Sequence, residues 1–333
     1  MKKSIASELA PTSIDPAYVA TEADLAAVEQ RLSSLLDSNE AHIAEICHYL
    51  IDGSGKRLRP MFILLVYRAC GGSEGAVSDA IDAATALELI HSATLLHDDI
   101  IDAGVLRRGR PSAYARYGPA PTLVAGDYLF CRAFEICGRF DEPLVLTAAR
   151  ACIQLTEGEA MEGRLRYNPA TTLEQYLAVI TRKTASLFAA GGKVAADLAG
   201  ATAAVGDAMS RLGNAVGLAF QMVDDLLDVL GPEEKIGKPV GSDIRAGIPS
   251  LPMVLAAQHN PDLRAMFGNG AAHDDVVFNR MLELLREPHI LAGARMMAAE
   301  QVGRARELLT SLPPSIYRDR LSALIDEQVR REV

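Results

Sequence analysis

The sequence predicts an all-α protein: many helices bundled around a central cavity, with two aspartate-rich helices facing each other. Three observations carry this. Nearly every long segment repeats apolar residues at three- and four-residue spacing, the period of a helix with one buried face. Alternating strand patterns are missing, and aromatics are only 5% with no tryptophan, which disfavours a β-sandwich. Finally, Asp98-Asp99-Ile100-Ile101-Asp102 recurs as Asp224-Asp225-Leu226-Leu227-Asp228, each time inside an apolar helical stretch.

The elements follow in order. Residues 1–20 read as a loose leader, because Met1-Lys2-Lys3 is basic but no apolar run of secretory type follows it. A single helical domain then fills residues 21–333. Its first helices read as Ala23–Leu36, Ala41–Ile51, Arg59–Ala69 and Ser78–Asp102, the last rich in Ala and Leu. Gly104, Gly109 and Pro111 end that run and leave a loop carrying Arg107, Arg108 and Arg110. Helical pattern resumes at Pro119–Phe140, Glu142–Glu162, Leu173–Leu198 and Val205–Val229. Gly231-Pro232 and the stretch 237–247 read as a second flexible segment. Three further helices start near Pro252, Asp274 and Ala292. The flanks of the two aspartate motifs do not repeat well enough to indicate duplication.

Composition narrows the function. Of 333 residues, 49% are hydrophobic and 23% charged, the range of a globular protein with a sizeable core. A net charge of −10 argues against nucleic acid as the main partner. The five cysteines form no CxxC pair, and an odd count fits reduced thiols in the cytoplasm. No apolar run reaches the length of a membrane span; residues 81–96 come nearest, but Asp82, Glu88 and His91 interrupt them.

Aspartate is a poor helix former and is rarely buried without a partner. At helical spacing, Asp98 and Asp102 share a face, as do Asp224 and Asp228. Paired carboxylates on apolar helices call for a hard cation such as Mg²⁺, which takes oxygen ligands and commonly shares them with substrate phosphates. The Arg107-Arg108-Gly109 turn adds guanidinium forks suited to a diphosphate. His91, seven residues before Asp98, lies on the same stripe. Other polar residues have plainer readings. Lys56-Arg57-Leu58-Arg59 alone is a solvated basic turn, Lys183 a snorkelling lysine and Gln221 a backbone-bonding side chain. Glu157, Glu159 and Glu162 read as a solvated helix face, and the Cys and Met residues as packing.

Several separate blocks then carry a resemblance: Gly55-Lys56-Arg57-Leu58-Arg59-Pro60, Ile90 to Asp99, Arg107-Arg108-Gly109, Gly126-Asp127-Tyr128-Leu129, Lys183-Thr184-Ala185, Phe220 to Asp225, and Gly237 to Asp243. In this order they resemble the trans-isoprenyl diphosphate synthases, specifically the long-chain polyprenyl type, over roughly Ile43 to Leu255. The resemblance implies an isoprenoid-synthase helical fold, a homodimer, and Mg²⁺-dependent condensation of an allylic diphosphate, such as farnesyl diphosphate, with isopentenyl diphosphate. Three Mg²⁺ ions per site are implied. By the same resemblance Asp98, Asp102 and Asp224 bind metal, while Asp99, Asp225 and Asp228 shape the clusters and hold metal-bound water. Arg107, Lys183, Thr184, Gln221 and Lys238 would hold the allylic diphosphate. Lys56, Arg59, His91 and Arg108 would hold isopentenyl diphosphate without metal. One departure stands out: the family commonly has lysine where this chain has Ile248, a loss for which Arg245 could compensate.

The implied chemistry is ionisation, attack by the isopentenyl double bond, and loss of a proton to the departing diphosphate, with Arg107, Lys183 and Lys238 drawing charge onto the leaving group. The helix before Asp98 would line the product tunnel. Ala93 and Thr94 lie about one turn below the motif, and Leu87 about three. At the two nearer places, bulky aromatics stop growth early in this family. Phe130 and Phe134 are candidate floors, and ordinary core packing is the plainer account of both. Tunnel length points to a product of about C30–C50. Alternatives are a farnesyl- or geranylgeranyl-type synthase, a terpene cyclase, or a non-catalytic synthase subunit. A cyclase would need no isopentenyl site, and a non-catalytic subunit would not keep both aspartate motifs.

Overall fold

The computed structural model describes residues 16–51, 55, 57–231 and 240–330. It is helical throughout apart from one two-residue strand pair. The helices are α1 (Pro16–Leu35), α2 (Ala41–Ile51), α3 (Leu58–Ala69), α4 (Val77–Ile101), α5 (Ala113–Tyr117), α6 (Pro119–Cys137), α7 (Glu142–Leu165), α8 (Leu173–Ile180), α9 (Ser186–Leu198) and α10 (Ala203–Leu230). They continue as α11 (Ser242–Ala246), α12 (Leu251–Ala257), α13 (Pro261–Gly268), α14 (Asp275–Leu285), α15 (Pro288–Leu309) and α16 (Ile316–Arg330). Strands β1 (Leu106–Arg107) and β2 (Arg110–Pro111) pair antiparallel.

Local chemistry sets many boundaries. Thr172 and Gln175 form a reciprocal capping box at the start of α8, and Thr202 and Asp274 cap α10 and α14. Proline stands in the first turn of α6, α7, α12, α13 and α15, where its missing N–H costs nothing. Helix α4 is buried on nearly every side, as expected of a central helix apolar all round. It packs mainly against α6, and also against α1, α3 and α9. Helix α10 is 28 residues long and serves two apolar cores. Met209, Leu212 and Val216 join the core of α1–α4, while Met222, Val223, Leu226 and Val229 join that of α12–α15. Helices α9 and α10 touch closely because Gly213 has no Cβ; one there would sit 2.1 Å from the Phe188 carbonyl oxygen.

The structure corrects several boundaries. Helix α1 begins at Pro16, inside the segment read as a leader. The expected single helix Leu173–Leu198 is interrupted by a π-helical turn over Thr181–Ala185. The C-terminal part holds more helices than the three expected, because Asn260 caps α13 and starts an element that periodicity alone ran past. The arginine loop is a hairpin: Arg108 (φ 54°) and Gly109 (φ 76°) are its central residues, both in the left-handed region that a tight two-residue hairpin requires.

Candidate active site

The first aspartate motif ends α4, so its carboxylates emerge where the helix leaves the core. Asp98 is set among Lys183, Glu159, Arg107 and Asp102, and burial pushes its carboxyl up to about 7. Among the described residues, no donor bonds its carboxylate. Asp99 points the other way. It is 2% exposed and accepts a 2.7 Å hydrogen bond from Arg107 Nε. Asp102 is paired with Arg166 at the end of α7. The hairpin thus braces the motif through Arg107, while Asp98 and Asp102 share the open face.

A second cluster is mainly cationic: Arg57, Arg59 and Arg108 surround the single buried carboxylate of Glu88. Arg59, at the start of α3, is half-buried, with its guanidinium 4.9 Å from the Phe188 ring centre and 5.9 Å from that of Phe220. Its Nε finds no hydrogen-bond partner among the described residues. Arg59, Arg108, Arg107 and Arg57 all act on His91, and burial with these charges holds His91 well below its usual pKa. The imidazole is therefore neutral at pH 7 and offers one N–H donor. Arg57 is structural: it donates to Glu88 at 3.2 Å, to the Ile51 carbonyl at 3.1 Å and to Glu29. A basin of closely set cations with an unsatisfied donor is built for an anion. Lys56 lies outside the described residues, as does Lys238.

The second motif also divides, but differently: only Asp224 is left open, while Asp225 and Asp228 are both buried. Asp225 accepts from Tyr176 Oη (2.8 Å), Gln221 Nε2 (2.9 Å) and the Leu251 N–H (2.8 Å). Asp228 accepts from Ser242 Oγ (2.6 Å) and the Asp243 N–H (3.2 Å). Both are buried and spend their oxygens on the protein, fixing α10 to α8, α11 and α12. Asp224 is half-buried and acts electrostatically on Arg59. Thr184 Oγ1 donates 2.8 Å to Gln221 Oε1, which extends the Asp225 chain to the π turn. Gln221 therefore bonds side chains rather than the neighbouring backbone.

The π turn lies between the two aspartate helices: Lys183 acts on Asp98 of α4, and Thr184 bonds Gln221 of α10. It approaches α7 at Gly158, where a Cβ would lie 2.6 Å from the Lys183 backbone nitrogen. Lys183 Nζ sits 2.6 Å from Glu162 and 2.7 Å from Glu159, which raise its pKa. The two glutamates are thus site residues and not a solvated face. Their ion pairs with Lys183 beside the first motif show this. A cavity of about 150 Å³ opens here, lined by Glu162, Tyr176, Lys183, Thr184, Gln221 and Ile248, among others. Ile248 thus occupies the wall where a lysine would face the site. Arg245 does not replace it, because it binds Asp275 (2.7 Å) and the Ala272 carbonyl (3.0 Å) and stacks on Phe278.

The tunnel residues separate. Thr94 and Leu87 lie on the Asp98 face of α4 and are buried; Thr94 Oγ1 donates to the His91 carbonyl. Ala93 is fully buried but about 140° round the helix from Asp98. Phe130 rests against His97 and Phe134 on α6, and Phe134 is 51% exposed, so a single chain does not enclose it as a floor.

Among the described residues, no three acidic, His or Cys side chains converge closely enough to hold an ion unaided. Asp98 and Asp102 still fit a hard divalent ion that completes its shell with water and phosphate oxygens.

Fold and site together define an all-α isoprenoid synthase. The chain belongs to the polyprenyl synthetase family, whose model matches residues 40–285. It is 36% identical over 316 residues to the nonaprenyl diphosphate synthase of Mycobacterium tuberculosis, covering 94% of this chain and 93% of that one. The octaprenyl diphosphate synthase of Haemophilus influenzae is 34% identical, with 94% and 95% covered. A polyprenyl synthase from Caulobacter crescentus, solved with calcium and isoprenyl diphosphate, superposes with a TM-score of 0.90 at 33% identity, covering 96% of this chain and 98% of that one.

Proposed function

We propose that the protein is a long-chain all-trans polyprenyl diphosphate synthase. It would add isopentenyl diphosphate head to tail onto an allylic diphosphate such as farnesyl diphosphate, to about C30–C50. One observation carries the reading. Two unlike sites lie along the C-terminal half of α4: open carboxylates beside Lys183, suited to a metal-bound diphosphate, and a basin where Arg59 and Arg108 flank His91. Two diphosphates, one with metal and one without, match that division. The long-chain relatives support the product class.

Asp98, Asp102 and Asp224 would hold Mg²⁺, with the other three aspartates orienting them through the hydrogen bonds described. Bound Mg²⁺ would polarise the leaving diphosphate as a Lewis acid. Lys183 would donate to the leaving oxygens, and Arg107 would add charge from the hairpin while bracing Asp99. Arg59, Arg108 and neutral His91 would fix isopentenyl diphosphate directly, with its double bond toward the allylic carbon. The allylic carbon–oxygen bond breaks first, its electron pair leaving with the diphosphate, and the isopentenyl double bond then attacks the allylic cation to form the new carbon–carbon bond. The proton then lost passes to the released diphosphate. Thr94 and Leu87 would line the start of the tail's path.

The same reading takes residues 21–333 as one domain, supported by α10 serving both cores. It takes the working unit as a homodimer. Leu123, Val124 and Phe134 on α6 and Leu146 and Ile153 on α7 are exposed apolar side chains that a second copy would cover. No helix among the described residues is long and apolar enough to cross a membrane. The five free cysteines suit a reducing cytoplasm. Incubating the protein with Mg²⁺, labelled isopentenyl diphosphate and farnesyl diphosphate should give long prenyl diphosphates. No incorporation above a no-enzyme control would refute the assignment.

A further inference from the structure

Two ion pairs at the site oppose the chemistry proposed for it. Asp102, a metal ligand in that reading, is covered by Arg166. Lys183, a diphosphate ligand, is held by Glu159 and Glu162. Both pairs must open before substrate can be bound, and opening either one alone leaves a partly buried charge without its partner, which is costly. Resting on the proposed function, we infer that Arg166 is a positioning residue that exchanges partners. It pairs with Asp102 in the empty site, and takes over Glu159 and Glu162 once Lys183 turns to the allylic diphosphate.

The exchange calls on side chains that share one helix face. Glu159, Glu162 and Arg166 lie at i, i+3 and i+7 along α7 and its C-cap, on one face. Arg166 already stands within electrostatic reach of Glu162 and Glu159 as well as Asp102. Its backbone is anchored next door, where the Tyr167 N–H donates 2.8 Å to the Gly247 carbonyl and Tyr167 Oη donates 3.2 Å to that of Arg245. The Lys183 backbone is pinned against Gly158. Two long cationic side chains on fixed backbones therefore share a row of four carboxylates: Asp98, Asp102, Glu159 and Glu162. A divalent ion displaces Arg166 from Asp102, a diphosphate draws Lys183 from the glutamates, and Arg166 fills the place Lys183 leaves. Each charge stays paired throughout.

The plainer account makes Arg166 a static pin between α7 and α4, and Arg166→Gln separates the two. Exchange gives effects of opposite sign. With the competitor for Asp102 gone, the Mg²⁺ concentration at half-saturation should fall about 3- to 10-fold, read by calorimetry with inorganic pyrophosphate and no turnover. With no cation to replace Lys183 on the glutamates, KM for the allylic diphosphate should rise by a similar factor. KM for isopentenyl diphosphate should stay within about twofold. The double variant Arg166→Gln/Glu162→Gln should bring the allylic KM back toward wild type. Weakening of both Mg²⁺ and allylic binding, or no change in either, would overturn the exchange. If Arg166→Gln does not fold, Arg166→Lys, which loses the guanidinium fork, should show the same signs at smaller size, and an unshifted Lys variant would equally overturn it. Wild type that binds Mg²⁺ and pyrophosphate but transfers no prenyl group would count against the proposed function and leave this test intact.

Discussion

Gly158→Ala gives a direct probe of how the fold places Lys183. The added Cβ would lie 2.6 Å from the Lys183 nitrogen, 2.9 Å from Arg182 Cβ and 3.0 Å from Lys183 Cα. Ordinary contacts between such atoms are about 3.5–4.0 Å, so α7 and the π turn must part by about 1 Å. The atoms met are mostly backbone, and no rotamer change relieves them. Overpacking of this kind costs about 1–3 kcal/mol, enough to lower the melting temperature by a few degrees. A misplacement of about 1 Å in a preorganised group costs up to about 10²-fold in rate. The expected result is a fall of about 10- to 100-fold in kcat/KM for the allylic diphosphate, with KM for isopentenyl diphosphate nearly unchanged. Gly163→Ala is the control, since a Cβ there meets nothing within 4 Å on the same helix. Steady-state kinetics with each substrate varied, beside thermal melts, reads both effects. Wild-type kinetics in Gly158→Ala would refute the idea that α7 sets the position of Lys183.

Three further outcomes follow. Arg59→Ala should mainly raise KM for isopentenyl diphosphate and Lys183→Ala that for the allylic primer, each by about 2–3 kcal/mol of lost charged hydrogen bonding; reversed effects would swap the two sites. Thr94→Phe, on the Asp98 face, should shorten products to about C15–C20, whereas Ala93→Phe, turned away and tightly packed, should mainly lose about 1–3 kcal/mol of stability; product chromatography and melts would show a wrong tunnel if Thr94→Phe left the distribution unchanged. The Asp98 carboxyl is raised in the fold from the ordinary carboxylate range to about 7, so between about pH 4 and 7 the folded state binds the extra proton and stability contributed by this group is lost as pH rises. Asp98→Asn should therefore stabilise the metal-free protein more at pH 8 than at pH 5 while lowering turnover about 10²-fold; an equal melting shift at both values would deny the burial of this charge.

Much of this was legible in the chain because helices announce themselves by period and aspartates do not lie on apolar faces without cause. Asp98, Asp102, Arg107 and Lys183 lie together at the end of α4, Arg59, Arg107 and Arg108 gather around His91, and Asp224 acts on Arg59. Sequence spacing could not divide Asp98 and Asp102 from Asp99, or Asp224 from Asp225 and Asp228. That division depends on donors outside the motifs, brought in by the hairpin and by other helices: Arg107, Tyr176, Ser242 and the Leu251 N–H. Glu159, Glu162 and Arg166 were hidden for the same reason, since their partners lie on α4 and the π turn. The π turn itself breaks no local rule in Thr181–Ala185; packing against Gly158 and Gly217 accompanies it.

The central claim is that one site joins two diphosphates repeatedly. Its most direct test is product length from purified protein with Mg²⁺, labelled isopentenyl diphosphate and each allylic primer in turn, separated by chromatography. Sequential elongation to about C30–C50 is the expected result, with no incorporation when the allylic primer is omitted. Release of an unlabelled cyclic hydrocarbon from the primer alone, or a single condensation that goes no further, would contradict it.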